Sequence, residues 1–319
     1  MLDLTFEQLN NAQFELYEHN PVIRHGADSP IVADPSVLTP DLTPDGKWHL
    51  FAHTLFGVYD YLSDDGVTFG VRRKVVSRAM RPCVVVENGV YYLFYERLQP
   101  ALARAAGLLG GKWKSEIFVT ESRDLASFSS PRPVLRFDKE FERAGRGYSL
   151  SNPFVLRDGD KFRLYYSAGL TYVPDCGFSE PTYICLAESD CPAECFVKAD
   201  APIMSPSGKG GGSDLGCGCI KVYKLADCYA ALQNGIYTEG GRSRSAIRLL
   251  RSNDGVHFEF VKVLLRPRVC GGNEWMAQFV YASHLVRYGD ELRLYFNARN
   301  TANMLAGKEN IGFATARLG

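Results

Sequence analysis

Three charged or polar residues stand immediately before a proline that opens an apolar run: Asp34 in ADPSVL, Arg81 in RPCVVV and Asn152 in NPFVL. Each run is followed, after a turn, by an aromatic-rich stretch, and in the five such stretches the last residue is polar: His53, Glu96, Ser167, Asn234 and Asn297. Two extended segments joined by a turn lie antiparallel, so the far end of the second returns to the start of the first. This brings His53 back to Asp34 and Glu96 back to Arg81. One mouth then holds two carboxyl groups, an imidazole and a guanidinium, which is a set suited to moving protons between a donor and an acceptor. The same positions have plainer readings: an Asp before Pro forms turns, strands commonly end in polar residues, and Glu96 can pair with Arg97 in solvent.

The elements that carry these residues repeat. A short apolar strand, a turn, an aromatic strand and a third strand ending in a polar turn that closes on phenylalanine recur along the chain. The closing residues are Phe69, Phe128, Phe196 and Phe258, spaced 59, 68 and 62 residues apart. This is the range of a four-stranded blade in a radially repeated sheet. The first half of the unit occurs five times, from Pro35, Pro82, Pro153, Cys219 and Ser283. The expected fold is therefore all-β, a five-bladed β-propeller in one domain over residues 1–319. The last unit lacks its outer strand, and FELYEHNPVI (Phe14 to Ile23) is expected to supply it, closing the ring and removing exposed sheet edges. Inner strands of such a fold line a central channel, so equivalent inner positions form a ring around one funnel. The fourth and fifth units lack the proline, and Asp214 and Glu274 are the acidic residues upstream of their strands.

Composition narrows the classes. The formal net charge of the 319 residues is zero, which argues against a nucleic-acid surface, and no apolar run reaches membrane-helix length. The N-terminus lacks the basic and apolar segments of a signal peptide, so a cytoplasmic location is expected. Nine cysteines read mostly as small buried hydrophobes of a reducing compartment. Cys217 with Cys219, and Cys191 with Cys195, are imaginable zinc ligands, but the paired CxxC pattern of structural zinc is missing and no metal or cofactor is expected. Loops from Ala101, Glu142, Ser205, Glu239 and Ala298 are rich in Arg, Lys and Gly. They are either solvated connections or a rim that holds an anionic substrate, with 205–213 as a lid. The oligomeric state is open.

HNPVI and ADPSVL, followed by the strands ENGVYYLFYE, RDGDKFRLYYS and GDELRLYFNAR, resemble the five-bladed β-propeller glycosidase clan that includes glycoside hydrolase families 43, 32, 62, 68, 117 and 130. The resemblance implies an enzyme acting on a carbohydrate in the central funnel, with Asp34 matching the general base of family 43. The chain departs from that family in having Cys83 after the second proline and Ser151 where the general-acid glutamate stands. Glycoside cleavage normally needs two carboxyl groups. The candidates for the proton donor are Glu96, then Glu274 beside the aromatic wall of Trp275. Arg81 and His53 are candidate substrate contacts, with Asn152, Asp214, Trp275, Asn297 and Arg299, and Trp113 as a further stacking residue. The expected activity is glycoside hydrolysis on a small, anionic sugar or glycoconjugate. The alternatives are a phosphorylase or transglycosidase on the same scaffold, and a non-catalytic carbohydrate-binding propeller.

Overall fold

A computed structural model describes residues 2–98, 113–269 and 274–318. The chain is almost entirely β. Pairing among the described residues forms five antiparallel groups of four strands, connected in chain order. The first is Ala33–Leu38, Trp48–Thr54, Gly57–Ser63 and Val71–Ser77. The second is Ala79–Glu87, Val90–Leu98, Lys114–Ser122 and Arg132–Leu135. The third is Gly147–Asp158, Lys161–Val173, Phe178–Ser189 and Val197–Lys198. The fourth is Ile220–Lys224, Tyr229–Glu239, Arg242–Ser252 and Glu259–Leu265. The fifth is Phe279–Tyr288, Glu291–Arg299 and Glu309–Arg317, with its outer strand supplied by Glu15–Leu16. That strand pairs Glu15 with Thr315 and Leu16 with Ala314, and a bridge from Ile23 to Ile311 prolongs the contact. Ahead of it, the short helix Phe6–Asn11, held by a Thr5/Gln8 capping box, buries Leu9 in the main core.

The groups pack face to face. Val37, Leu50 and Tyr61 of the first group form one core with Tyr295, Ile311 and Phe313 of the fifth, while Leu38, Phe51 and Val58 on its other face pack on Val84, Leu93 and Tyr95 of the second. Strands buried on both faces need side chains that are apolar nearly throughout, which is why FAH, YLFYE and RLYYS stay aromatic up to their last residue. Polar stitches join neighbours: Arg132 Nη1 donates to Ala193 O at 2.7 Å, Tyr165 Oη to Gly255 O at 2.9 Å and Tyr295 Oη to Gly66 O at 2.7 Å.

The acceptors of those stitches lie in the polar turns seen in the sequence. In the first group Ser63 Oγ donates to Asp65 Oδ1, which accepts the Val67 and Thr68 N–H groups at 2.8 and 2.7 Å. Ser122/Asp124 and Ser252/Asp254 repeat the arrangement. In the third group Cys191 stands where the aspartate would, and Ser189 caps alone. Partial burial opposes ionisation of Asp65, but the Thr68 and Val67 N–H groups outweigh it and hold the carboxyl down at about 2. Asp65→Ala should therefore cost about 1 kcal/mol in urea unfolding at pH 7. Because the folded value is depressed, the contribution is present above the unfolded value near 4 and is lost as pH falls through about 2. A penalty that persists unchanged at pH 2 would assign the effect to packing.

No helix of the described residues is long and apolar enough to cross a membrane. Residues 101–112 of the first basic loop and Cys270 lie outside the described residues. The Gly-rich segment 205–213 closes on itself, with Ser207 N donating to Ser213 O at 3.2 Å, and lies with Gly212 against Arg248 of the fourth group.

Candidate functional site

The innermost strands begin with the same irregularity. Asp34, Arg81 and Asn152 have φ of 55°, 54° and 48°, and each sits in a bulge where the inner strand gains a residue on its partner. Proline one residue later cannot donate to the ladder, which favours a bulge there, and a bulge turns the preceding side chain out of the sheet. The fourth group reaches the same geometry without proline: Gly218 has φ of 60°, and a Cβ there would fall 2.1 Å from Asn234 O. A left-handed arginine costs about 1–2 kcal/mol. Arg81 is held so by its surroundings, since its backbone N–H points at His53 Nδ1 at 3.3 Å and its guanidinium pairs with Glu96.

The bulges bring Asp34, His53, Arg81 and Glu96 together. His53 Nδ1 lies 3.2 Å from Asp34 Oδ2. The same Nδ1 faces the Arg81 N–H, so the imidazole sits between the first and second bulges. Asn297 Oδ1 accepts the Asp34 N–H at 3.3 Å, and its Nδ2 donates to Glu309 Oε2 at 3.0 Å. Arg299 Nη1 pairs with Glu309 Oε1 at 3.0 Å, one layer behind. Glu96 is fully buried, and its Oε1 has no hydrogen-bond partner among the described residues, so it serves to hold Arg81 and lacks access to a substrate.

Four other sequence candidates lie elsewhere. Glu274 is exposed on the turn before Phe279–Tyr288, remote from the bulges in the repeat. Trp275 is 6% exposed and stacks on Phe296 with ring centroids 5.9 Å apart, so it fills the core. Asp214 accepts the Thr238 N–H and braces a loop. The bulges of these two groups fall at Gly218 and Tyr281, several residues after the acidic residues, which is why Asp214 and Glu274 are displaced. Asn152 is buried at its bulge, with its side-chain amide 3.3 Å from Ser151 Oγ. Trp113 Nε1 donates to Ser115 Oγ at 3.0 Å.

Sequence reasoning missed Glu180, Tyr281, Glu309 and Lys221. Glu180 sits in an unusually long hairpin, Lys161–Val173 with Phe178–Ser189, 13 and 12 residues. Gly169, at φ of 68°, bends the hairpin, and a Cβ there would meet Phe141 O at 3.1 Å. Glu180 is 8% exposed, and Tyr281, in the bulge of the fifth group, is near enough to favour its ionised form. Its signal was in the sequence: Glu180–Pro181 repeats the acid-before-proline pair of Asp34–Pro35.

The two carboxyl groups share one field. Burial pushes Asp34 up to about 6 against the attraction of Arg81 and Lys221, with repulsion from Glu309 and Glu96 adding to the rise. Burial pushes Glu180 up to about 7 against Arg81 and Tyr281, with Glu309 and Asp34 repelling it. Arg81 is the strongest attraction on both. Of the two, Glu180 keeps its proton to the higher pH, which suits it to donate and Asp34 to accept. Among the described residues, no three His, Cys, Asp or Glu side chains converge as a metal-ligand set.

No protein-family model matches the chain, and no curated protein sequence does. Solved structures do match over nearly the whole length. An N-acetylgalactosamine deacetylase from F. plautii, in complex with blood group B trisaccharide, is 14% identical, covering 95% of this chain and 93% of its own, with a TM-score of 0.63. A structure from the family 130 mannoside phosphorylases, a family described as containing glycoside hydrolases that target β-1,2 mannosidic linkages in Candida mannan, is 16% identical over 95% and 93%, with a TM-score of 0.62. A family 117 glycoside hydrolase from the marine bacterium Zobellia galactanivorans is 16% identical over 97% and 91%, with a TM-score of 0.59. The chain thus has the fold of the glycoside hydrolase-like proteins.

Proposed function

We propose that this protein is a glycosidase, a single-domain five-bladed propeller closed by its N-terminal strand, with Glu180 as general acid and Asp34 as general base. The observation that carries the reading is the pair itself: two largely buried carboxyl groups raised to about 6 and about 7 and acted on by one arginine. Glu180 protonates the departing glycosidic oxygen. Asp34 takes the proton of the attacking water, with His53 Nδ1 beside its carboxyl at 3.2 Å. Arg81, fixed by Glu96, offers the outer edge of its guanidinium to a sugar oxygen. The single strand pairing of Glu15–Leu16 with the last group supports ring closure, and the buried thiols support a reducing, cytoplasmic setting.

The likeness to the family 130 structure supports a second reading, in which phosphate replaces water as the nucleophile. The test is turnover of a panel of aryl glycosides against pH, with and without phosphate. For the hydrolase, kcat/KM peaks between about pH 6 and 7. The acidic limb follows Asp34 and is lost in Asp34→Asn, and the alkaline limb follows Glu180 and is lost in Glu180→Gln. A wild-type profile flat from pH 5 to 8 would remove this pair from the chemistry, and turnover that depends on phosphate would select the phosphorylase.

A further inference from the structure

Lys221 lies on the inner strand Ile220–Lys224, where Ile220 and Val222 enter the apolar core and Lys221, by the alternation of a strand, faces the other way. It is 4% exposed, and its ammonium rests over the Phe154 ring at 5.3 Å. Its charge acts on Asp34, on Cys219 beside the fourth bulge, and on Cys83 and His284 farther along the channel. Its place three residues past the Gly218 bulge, over a ring two residues past the Asn152 bulge, sets it beside the bulged strand starts.

The cations around it are already spoken for. Arg81 is in contact with Glu96 and Arg299 with Glu309, so each pair cancels its own charge. His284 adds no counter-charge, because burial keeps it neutral and its Nδ1 accepts the Val37 N–H at 2.7 Å. Among the described residues no carboxylate oxygen lies within 4.0 Å of the Lys221 ammonium, and no hydrogen bond satisfies it. An ammonium has three donors and no acceptor, and burying one without a partner is among the costlier things a fold can do. The molecule carries that cost on an inner strand, with the ammonium not wholly enclosed and so reachable from solvent.

We propose that Lys221 anchors an oxyanion beside the bulged strand starts, a carboxylate, phosphate or sulfate, so that this enzyme selects an acidic carbohydrate or a sugar together with free phosphate. The inference rests on the glycosidase reading for its substrate, but its test is a binding measurement that needs no turnover, so the two fail separately. A hydroxyl group would satisfy a donor yet leave the charge uncompensated, whereas an oxyanion does both.

The experiment is calorimetric titration of the wild type and Lys221→Met with inorganic phosphate, D-glucuronate, glucose 6-phosphate and glucose, alongside thermal unfolding of the unliganded proteins. Methionine keeps the length and apolar stem of lysine. The wild type should bind the anionic probes, and Lys221→Met should weaken them at least tenfold while leaving glucose unchanged. The unliganded variant should melt a few degrees higher, as expected when an unpaired buried charge is removed and no partner is stranded. Tighter binding of glucuronate or glucose 6-phosphate than of inorganic phosphate assigns the anion to the sugar, and the reverse order assigns it to free phosphate. Failure of every anion to bind the wild type, or anion affinities unchanged in Lys221→Met, overturns the proposal.

Discussion

Glu180→Gln is expected to lower turnover of ordinary glycosides by about 10²- to 10⁴-fold, the usual worth of a positioned proton donor. Glutamine matches glutamate in shape, so the hairpin should keep its place. What it lacks is the proton. The loss should depend on the leaving group: an alkoxide needs that proton, whereas a nitrophenolate departs without it, and the variant should approach wild-type rates on activated aryl glycosides. Equal losses on both substrate types would show that Glu180 positions the sugar and is not the acid. A second readout is independent of activity. Burial raises the Glu180 carboxyl from 4.5 to about 7, so the folded state holds its proton more tightly than the unfolded chain does. This stabilising preference is full below the unfolded value near pH 4 and is lost as pH rises through about 7, an effect on the order of 3 kcal/mol. Glu180→Gln, which is neutral at every pH, should therefore gain in melting temperature relative to wild type between pH 5 and 8.

The strand groups were legible because every unit repeats a complete local grammar. The aromatic strands are apolar on both faces, and Ser-x-Asp turns close the third strands of the first, second and fourth groups with hydrogen bonds local in sequence. The outer strand of the last group was legible from its absence, since a unit ending at Arg317 leaves an edge that Glu15–Leu16 fills. The first three strand starts were legible from Asp34–Pro35, Arg81–Pro82 and Asn152–Pro153, where proline excludes a ladder bond. Where the proline is absent the register cannot be counted from sequence. The fourth unit substitutes Gly218–Cys219, with the Asn234 side chain capping the Cys219 N–H at 2.6 Å, and the fifth bulges at Tyr281–Ala282. Asp214, Glu274 and Trp275 were drawn toward the funnel by that uncertainty of a few residues. Glu180 was hidden for a different reason. It belongs to a third strand, and only the overlength hairpin and its bend at Gly169 carry it back to inner strands that it never pairs with.

Asp34→Asn should reduce hydrolysis by about 10³-fold, or about 4 kcal/mol of transition-state stabilisation, while leaving substrate affinity within a factor of a few. Asparagine is the substitution to use because the residue has φ of 55°, a conformation that Asn adopts readily, whereas alanine would add backbone strain to the loss of the carboxyl group. Unchanged circular dichroism and a fall in kcat with KM nearly constant would assign Asp34 to the chemical step, and activity at the wild-type level would exclude it as the base. The same variant separates water from phosphate as the nucleophile. Water must lose a proton as it attacks, so hydrolysis fails without a base. A phosphate anion arrives already deprotonated, so phosphorolysis by Asp34→Asn should survive, limited only by how well Arg81 and Lys221 hold the incoming charge.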